Sequence, residues 1–336
     1  MNLPTVSAPV RCVVVVIAME EEARPFIEKH GLKKHQEPGP FVSGSPMVAY
    51  SGQINSCTDD NQSHLRVHLV WNGRDQKYKV NNVATTAAAV ATYASIAAFH
   101  PDLVVSAGTA GGFGELGGNI GDVYASTKCV YHNRRIPEGE TGDLEEYGFG
   151  HYRSPPISAL ASAIGIKQGV VSTSDSLECT ASDLQLMRSE GAVVKEMEAA
   201  ACAWVCQSLR VPFIALKSIT DIVDAGRPTE KEFYANLHSA SSALQGKLTH
   251  MLQLLGQQPL SRWATGTVSS SLVATALEGR STLSGEASLS GKTKLHQLPS
   301  PIGAAPSSRR GLRLELALLA LSLACNGLAL LRRRGR

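Results

Sequence analysis

The sequence predicts an α/β fold, a three-layer αβα sandwich whose central sheet is mixed and largely parallel. Two observations predict it. Cys12–Ala18 is a continuous apolar run made mostly of β-branched residues, which is typical of a strand buried on both faces. Up to about Gln257, strand-like runs alternate with alanine-rich runs of helical periodicity, as in an α/β domain. Such folds bind ligands at the carboxyl ends of their strands.

The individual elements follow from local patterns along the chain. Apolar runs predict further strands at Val48–Ser51, Leu65–Trp71, Leu103–Ala107, Asp122–Val130, Gly169–Ser172, Val193–Glu196 and Phe213–Ile219. Runs with helical periodicity predict helices at Glu20–His30, Val83–Phe99, Ala199–Leu209 and Thr229–Leu255. The polar stretch Ser56–His64 predicts a surface loop.

Composition divides the chain into three parts. Residues 1–10 form an N-terminal extension, residues 11–256 the α/β domain, and residues 257–336 a low-complexity basic tail. The tail holds eleven Lys or Arg and three Asp or Glu, so it contributes +8 to a net charge of +3, and the body carries about −5. A mildly acidic body without a basic stripe is not typical of a nucleic-acid-binding protein. We therefore expect a small-molecule ligand.

The tail ends in an apolar run of 16 residues, 316–331, which three arginines follow. The run contains Asn326 and Gly327 and is shorter than the roughly 20 residues that a membrane-spanning helix needs. A tail anchor, an interfacial helix and an unstructured extension are all compatible with it. Membrane contact is therefore an open alternative for the tail, but not the favoured one.

The seven cysteines are scattered and form no CxxC pair, which favours reduced thiols and a cytoplasmic protein. Cys202 and Cys206 lie four residues apart on a predicted helix, but no histidine pair accompanies them. We interpret them as core residues and predict no metal site.

The first chemical signal is the run Glu20-Glu21-Glu22, where the first strand gives way to a helix. The positive end of the helix dipole stabilises carboxylates in the first turn, which is a sufficient structural explanation. A carboxylate at the carboxyl end of a strand also faces the expected ligand crevice, where it could activate a water molecule.

A glycine-rich turn, Ser106–Phe113, is predicted directly after the strand Leu103–Ala107. Gly112, Gly114 and Gly117 satisfy the GxGxxG pattern, but a strand follows them, whereas dinucleotide binding requires a helix at this point. This argues against a dinucleotide-dependent oxidoreductase. The glycines predict instead a close approach of the backbone to a compact ligand.

Two further strand ends carry acidic residues. Glu196 and Glu198 flank Met197 and share one face if strand geometry continues through them, although glutamates in the first turn of a helix are equally common. Asp221 ends the last strand. An aspartate there can also cap a helix or form a turn, and Asp224 is an equally simple candidate.

Together, and in this order, these segments resemble the methylthioadenosine/S-adenosylhomocysteine nucleosidase family, within the purine nucleoside phosphorylase superfamily. The resemblance covers about residues 11–256 and is strongest to the plant-type enzymes. The stretches that carry it besides the acidic segments are Asn72-Gly73-Arg74-Asp75, Asn119-Ile120-Gly121-Asp122-Val123, His132–Pro137 and Thr220-Asp221-Ile222-Val223-Asp224. The resemblance implies a nucleoside phosphorylase-like fold and a homodimer.

The resemblance implies two catalytic residues. Asp221 matches the general acid that protonates adenine N7, so that the base leaves as a neutral molecule. Glu22 matches the carboxylate that positions and deprotonates the attacking water. For Asp221 to be protonated near neutral pH, burial or nearby carboxylates must raise its pKa.

The resemblance also implies a set of substrate-binding residues around the sugar and the base. Glu198 matches the group that holds the ribose hydroxyls, and Met197 the side chain that packs against the sugar. Thr109 matches the residue whose hydroxyl lies near the ribose and the water. Ser176 and Leu177 match the segment whose backbone recognises adenine. The full set is Thr109, Ser176, Leu177, Glu196, Met197 and Glu198.

The implied reaction is hydrolysis of the N-glycosidic bond of 5′-methylthioadenosine to adenine and 5-methylthioribose in methionine salvage, without metal or cofactor. Whether S-adenosylhomocysteine is also accepted depends on the space at the 5′ end. Three departures from the family pattern bear on that space: Ser174 in place of a glycine, Asn133 in place of an aspartate, and the acidic, glycine-rich loop Glu138–Tyr152.

Two alternatives use the same fold. A nucleoside phosphorylase needs a cationic phosphate pocket, with arginines before the glycine-rich turn and after the first strand, where this chain has Ser106 and Glu20–Glu22. A non-catalytic nucleoside-binding or storage protein is the other alternative. Retention of Glu22, Glu198 and Asp221 together argues against it.

Overall fold

Strands and helices alternate along residues 9–56, 63–136 and 143–264, the part of the chain that this computed structural model describes. The strands are β1 (Cys12–Ile17), β2 (Lys33–Lys34), β3 (Val48–Ser56), β4 (Ser63–Trp71), β5 (Leu103–Gly112), β6 (Val123–Tyr131), β7 (Tyr152–Arg153), β8 (Lys167–Thr173), β9 (Ala192–Glu196) and β10 (Phe213–Ile222). The helices are α1 (Glu20–His30), α2 (Ala84–Phe99), α3 (Asp143–Phe149), α4 (Ser158–Ile164), α5 (Ala181–Ser189), α6 (Ala199–Ser208) and α7 (Thr229–Leu255).

All of these strands belong to one mixed sheet, which confirms the predicted α/β class. Its pairs β1–β4, β1–β5, β5–β10, β6–β8 and β8–β9 are parallel. The pairs β2–β3, β3–β4, β5–β9, β6–β7 and β6–β10 are antiparallel. The two-residue strand β2 ends the sheet on one side.

The sheet closes on itself, which corrects the predicted three-layer αβα sandwich. One edge of β5 pairs with β1 over Leu103–Ser106 and then with β9 at Gly111 and Gly112. Its other edge pairs with β10 over almost the whole strand. Because β9, β8, β6 and β10 are also linked in series, β5 and these four strands form a barrel-like ring.

The two faces of β1 explain its continuous apolar sequence. Val13, Val15 and Ile17 lie in one core cluster with residues of α1, α4 and α7. Val14 and Val16 lie in a second cluster with residues of α2 and α6. Helices therefore cover both faces of this strand, as the run of β-branched residues predicts.

Two strands extend further than their sequences predict. The segment Ser106–Phe113 is not a turn: its residues up to Gly112 continue β5, because hydrogen-bonded partners on both edges outweigh the low strand propensity of glycine. Likewise β10 continues to Ile222, so Asp221 lies within the strand.

Two predicted loops are partly replaced by regular structure. The loop Ser56–His64 is bounded by the paired residues Ser56 and Ser63, and residues 57–62 lie outside the described part. In the loop Glu138–Tyr152, residues 143–149 form α3, and residues 137–142 lie outside the described part.

The packed body continues beyond residue 256. Leu260 and Trp263, in a 3₁₀ turn, are buried in the same core cluster as α1 and α7, and Pro9 forms an isolated bridge with Pro259. The rest of the tail, including the apolar run 316–331, lies outside the described residues, as do residues 1–8. Among the residues described, no helix is long and apolar enough to cross a membrane.

Candidate active site

A cavity of about 340 Å³ lies where β1, β5, β9 and β10 end. Most of the residues that the sequence singles out line it: Glu22, Thr109, Leu177, Glu196, Met197, Glu198 and Asp221. Ser176 is exposed and does not line the cavity, although its carbonyl oxygen bonds the lining residue Lys195. The loop before α2 and the first turns of α7 complete the wall, with side chains such as Val83 and Phe233.

Glu22 is held in the first turn of α1 with its carboxylate turned towards β5. Its Oε1 accepts hydrogen bonds from the Thr109 backbone N–H at 2.7 Å and from the Thr109 hydroxyl at 2.6 Å. Its Oε2 accepts a longer bond of 3.3 Å from the Met19 N–H. Burial raises the pKa of Glu22 above its usual range, although these bonds and the charge of Lys217 counteract the rise. The carboxylate is thus suited to accepting a proton.

Glu196 is engaged on both carboxylate oxygens by groups of the protein. They accept bonds from the N–H of Glu198 at 3.0 Å, from the N–H of Ala199 at 2.9 and 3.0 Å, and from the Thr173 hydroxyl. Glu196 Oε2 also lies 2.8 Å from Lys217 Nζ. This carboxylate therefore caps α6 and neutralises a buried lysine.

Lys217 is 1% exposed, so its charge depends on the surrounding carboxylates. Burial lowers the pKa of this lysine, but Glu196, Glu198 and Glu22 together raise it above its usual value. An ammonium group thus stays charged beneath the cavity floor and stabilises neighbouring carboxylates in the ionised form.

Of the carboxylates around Lys217, Glu198 has an oxygen, Oε2, that can still accept a hydrogen bond from a ligand. Its Oε1 accepts the Ala84 N–H at 2.8 Å, and its Oε2 lies 4.0 Å from Lys217 Nζ. Burial and the charge of Glu196 raise its pKa to about 7, against the effect of Lys217. Ala84 has a φ of 75°, a strained value for a residue other than glycine, and this conformation delivers its N–H to Glu198.

Asp221 lies across the cavity and is 2% exposed. Its Oδ1 accepts a bond of 2.8 Å from the Thr220 hydroxyl, while its Oδ2 has no hydrogen-bond partner among the described residues. Burial raises the pKa of this carboxyl, and the Thr220 bond and the charge of Lys195 act against the rise. A buried carboxyl with one unengaged oxygen can carry a proton and deliver it to a bound molecule.

The glycines of β5 make room for these acids. A Cβ added at Gly111 would lie 2.8 Å from Asp221 Oδ2 and 2.5 Å from a methyl carbon of Val223. At Gly108, it would lie 3.4 Å from Glu22 Oε1. The glycines after Gly111 do not begin an α-helix: a 3₁₀ turn, Gly114–Leu116, and then β6 follow, so the dinucleotide fingerprint is absent here.

Glu20 and Glu21 face away from these groups. Glu20 accepts bonds of 2.8 Å from both Arg24 and Arg74, and Glu21 accepts one of 2.9 Å from the Asn81 side chain. They fasten the loop that carries Arg74 and Asn81 to α1. Arg74, the arginine of this loop near the end of β1, is therefore paired with the carboxylate of Glu20.

Comparison with known proteins agrees with this geometry. Residues 13–253 match the phosphorylase superfamily. The 5′-methylthioadenosine nucleosidase of Arabidopsis thaliana is 37% identical over 253 residues, which are 75% of this chain and 90% of the relative. A 5′-methylthioadenosine/S-adenosylhomocysteine nucleosidase of the same plant is 35% identical, with 75% of this chain and 95% of the relative covered. A solved structure of Arabidopsis thaliana 5′-methylthioadenosine nucleosidase covers 75% of this chain and 99% of its own, with a TM-score of 0.69.

This chain belongs to the methylthioadenosine/S-adenosylhomocysteine nucleosidase family of the phosphorylase superfamily. The resemblance read from the sequence motifs is thereby confirmed. The described residues of this family member contain no group of three or more His, Cys, Asp or Glu arranged to hold a metal ion.

Three polar residues that this member of the nucleosidase family places at the site were not predicted from the sequence. Lys217 was detectable, because a lysine inside the buried apolar strand Phe213–Ile219 must have acidic partners. Lys195 lies in the short strand that ends at Glu196, but no local pattern shows what it contacts. Thr220 precedes Asp221 directly, and only the fold reveals that its hydroxyl bonds the neighbouring carboxylate.

Proposed function

We propose that this protein hydrolyses the N-glycosidic bond of 5′-methylthioadenosine, giving adenine and 5-methylthioribose, in methionine salvage. One observation carries the proposal: a buried carboxyl with an unengaged oxygen, Asp221, shares one cavity with the carboxylates of Glu22 and Glu198. The names of the Arabidopsis thaliana relatives give the substrate. The Asp221 side of the cavity suits the leaving base, and the opposite side suits the sugar and the water.

In the proposed reaction, Asp221 gives its proton to N7 of adenine while the bond between N9 and C1′ breaks. The base leaves neutral, and the sugar becomes oxocarbenium-like. Glu22 positions a water molecule, whose oxygen bonds to C1′ and whose proton passes to Glu22. The two proton transfers balance, because one proton is given to the base and one is taken from the water.

Binding is assigned to the residues around these two groups. Glu198 holds the ribose hydroxyls through the oxygen that Ala84 does not engage, and Met197 packs against the sugar. Thr109 keeps Glu22 in place next to the water. The backbone of Ser176 and Leu177 reads the edge of adenine.

We modify one predicted assignment in this proposal. Glu196 has both oxygens occupied by Thr173, Ala199, Glu198 and Lys217, so we assign it to the support of the site instead of to substrate contact.

Phosphorolysis is disfavoured by charge. A phosphate entering from the sugar side would meet Glu22 and Glu198, and the cations Arg74 and Lys217 are already paired with Glu20 and Glu196. A storage protein of the same fold would have no need of a buried, unengaged acid such as Asp221.

The decisive experiment measures adenine release from 5′-methylthioadenosine in the presence and absence of inorganic phosphate. We expect the same rate in both, with free 5-methylthioribose as the sugar product. A rate that requires phosphate, with a sugar 1-phosphate as product, would contradict hydrolysis, and binding without turnover would favour the storage protein. S-adenosylhomocysteine in the same assay tests whether a larger 5′ group is accepted.

We further propose that the protein is a cytoplasmic homodimer. The neighbouring helices α2 and α6 expose the apolar side chains Val90, Tyr93 and Trp204, which are 55%, 60% and 43% exposed. Large apolar side chains exposed on neighbouring helices favour association with another copy of the chain. Sedimentation analysis of the purified chain should give twice the monomer mass, and a monomer at micromolar concentration would contradict the proposal.

A further inference from the structure

Lys195 is a buried lysine in the cavity wall that the proposed reaction does not use. It is 4% exposed, and its ammonium donates to the backbone carbonyls of Ser176 and Leu177, each at 2.8 Å. Both acceptors are neutral. A buried ammonium that bonds neutral carbonyls is less well compensated than Lys217, which has the Glu196 carboxylate at 2.8 Å. Packing alone would be served as well by a methionine.

The sheet places Lys195 and Asp221 on either side of Gly111. In the strand register, Lys195 of β9 pairs with Gly111 of β5, and Asp221 of β10 pairs with the same glycine from the other edge. Residues paired across neighbouring strands project their side chains to the same face. Both side chains line the cavity together with Gly111, whose lack of a side chain leaves room for Asp221 Oδ2 and a methyl carbon of Val223 beside it.

A flat ring bound beside this row of Lys195, Gly111 and Asp221 would lie between two polar walls. One wall is the acid Asp221, and the other is Lys195 with the carbonyls that it holds. The segment is also tied locally, because the Ser174 hydroxyl accepts the Ser176 N–H at 3.3 Å. Lys195 thus links the segment that is assigned to base recognition to β9, which pairs with β5 on the edge opposite β10.

We propose that Lys195 is a positioning residue of the nucleobase subsite, which fixes the backbone of Ser176 and Leu177 on one side of the leaving base and sets a positive charge opposite Asp221 on the other. The inference rests on the proposed function and deepens it, because it names the group that orients the base.

Electrostatics agrees with this role. Burial lowers the pKa of Lys195, while Cys179, Asp221, Glu196 and Asp183 raise it. Burial raises the pKa of Asp221, and the charge of Lys195 and the Thr220 hydrogen bond lower it, whereas Glu232 on α7 adds to the rise. An acid whose pKa is far above the working pH transfers its proton poorly. Lys195 therefore keeps Asp221 strong enough to protonate the base.

The test compares K195M and K195R with the wild type, using adenine release from 5′-methylthioadenosine across pH. Because Asp221 acts in its protonated form, kcat/KM falls as the pH rises through its pKa. Loss of the cation raises that pKa, so in K195M the alkaline limb should move about one pH unit upwards. KM should rise roughly ten- to a hundredfold as the carbonyls lose their donor. In K195R, which keeps the charge, the alkaline limb of the pH profile should lie close to its wild-type position.

A matched control is K247M. Lys247 on α7 also donates to a backbone carbonyl, that of Ile164 at 2.6 Å, but it does not line the cavity. We expect it to leave KM and the pH profile unchanged. An alkaline limb in K195M that stays in place or moves to lower pH would overturn the proposal, whatever happens to the melting temperature. If K195M does not fold, K195Q replaces it under the same criterion. An inactive wild type would instead contradict the proposed function.

Discussion

Asp221 and Asp224 are three residues apart, yet their surroundings are opposite. Asp221 is buried with one oxygen unengaged, whereas both oxygens of Asp224 accept backbone N–H bonds, from Gly114 at 2.8 Å and Glu115 at 2.9 Å. Asp224 therefore fastens the 3₁₀ turn after β5, and Asp221 is available for chemistry. The sequence could not distinguish the two, because both follow the apolar strand that it predicts, Phe213–Ile219.

This contrast predicts that D221N and D224N have opposite effects on turnover and on melting temperature. D221N removes the proton donor but keeps an oxygen for the Thr220 hydroxyl, so turnover should fall roughly a hundred- to ten-thousand-fold while the melting temperature hardly changes. D224N should keep most of the turnover and lower the melting temperature, because a capping acceptor is weakened. Steady-state rates and thermal unfolding of both variants check this. Near-normal activity of D221N would show that another group is the acid.

At the scale of the element, β5 connects the open part of the sheet to the ring and carries the glycines between the acids. G111A should lower turnover by at least roughly tenfold and unfolding free energy by about 1–3 kcal/mol, because the new methyl group overlaps Asp221 and Val223. The control is G246A in α7, where nothing lies within 4 Å of an added Cβ. It should leave turnover intact and stabilise by about 0.5–1 kcal/mol. Urea unfolding and turnover measure both variants, and an active, undisturbed G111A would contradict this account of the strand.

The elements show which information a single sequence contains. Periodicity predicts β1 and α7 well, because buried strands and amphipathic helices leave local patterns. It fails in β5, where the strand character of Gly108–Gly112 comes from pairing with distant strands. The same holds at the site: Glu22 and Asp221 follow from motifs, whereas the contacts of Lys195 depend on a sheet register that no local pattern encodes.

At the scale of the whole molecule, the body depends on residues that lie past the last long helix. W263A should lower the unfolding free energy by about 3–5 kcal/mol, because Trp263 is 2% exposed and completes the core beside α4. The exposed neighbour Arg262 provides the control, and R262A should change stability by less than about 0.5 kcal/mol. Chemical denaturation of the full chain compares them. Equal stability of the two variants would show that this turn is not part of the folded body.

The closure of the sheet also affects how readily copies of the chain can associate through their strand edges. A strand with an unpaired edge is a template for a strand of another molecule, and ring closure gives β6, β8, β9 and β10 partners along both sides. The sheet ends on the other side at β2, which has only two residues, Lys33 and Lys34, both exposed. These adjacent positive charges lie along β3 at Tyr50 and Ser51 and repel an identical segment of another copy. The architecture that brings the acids together thus also removes the open strand edges of the ring, where strands of another molecule could otherwise pair.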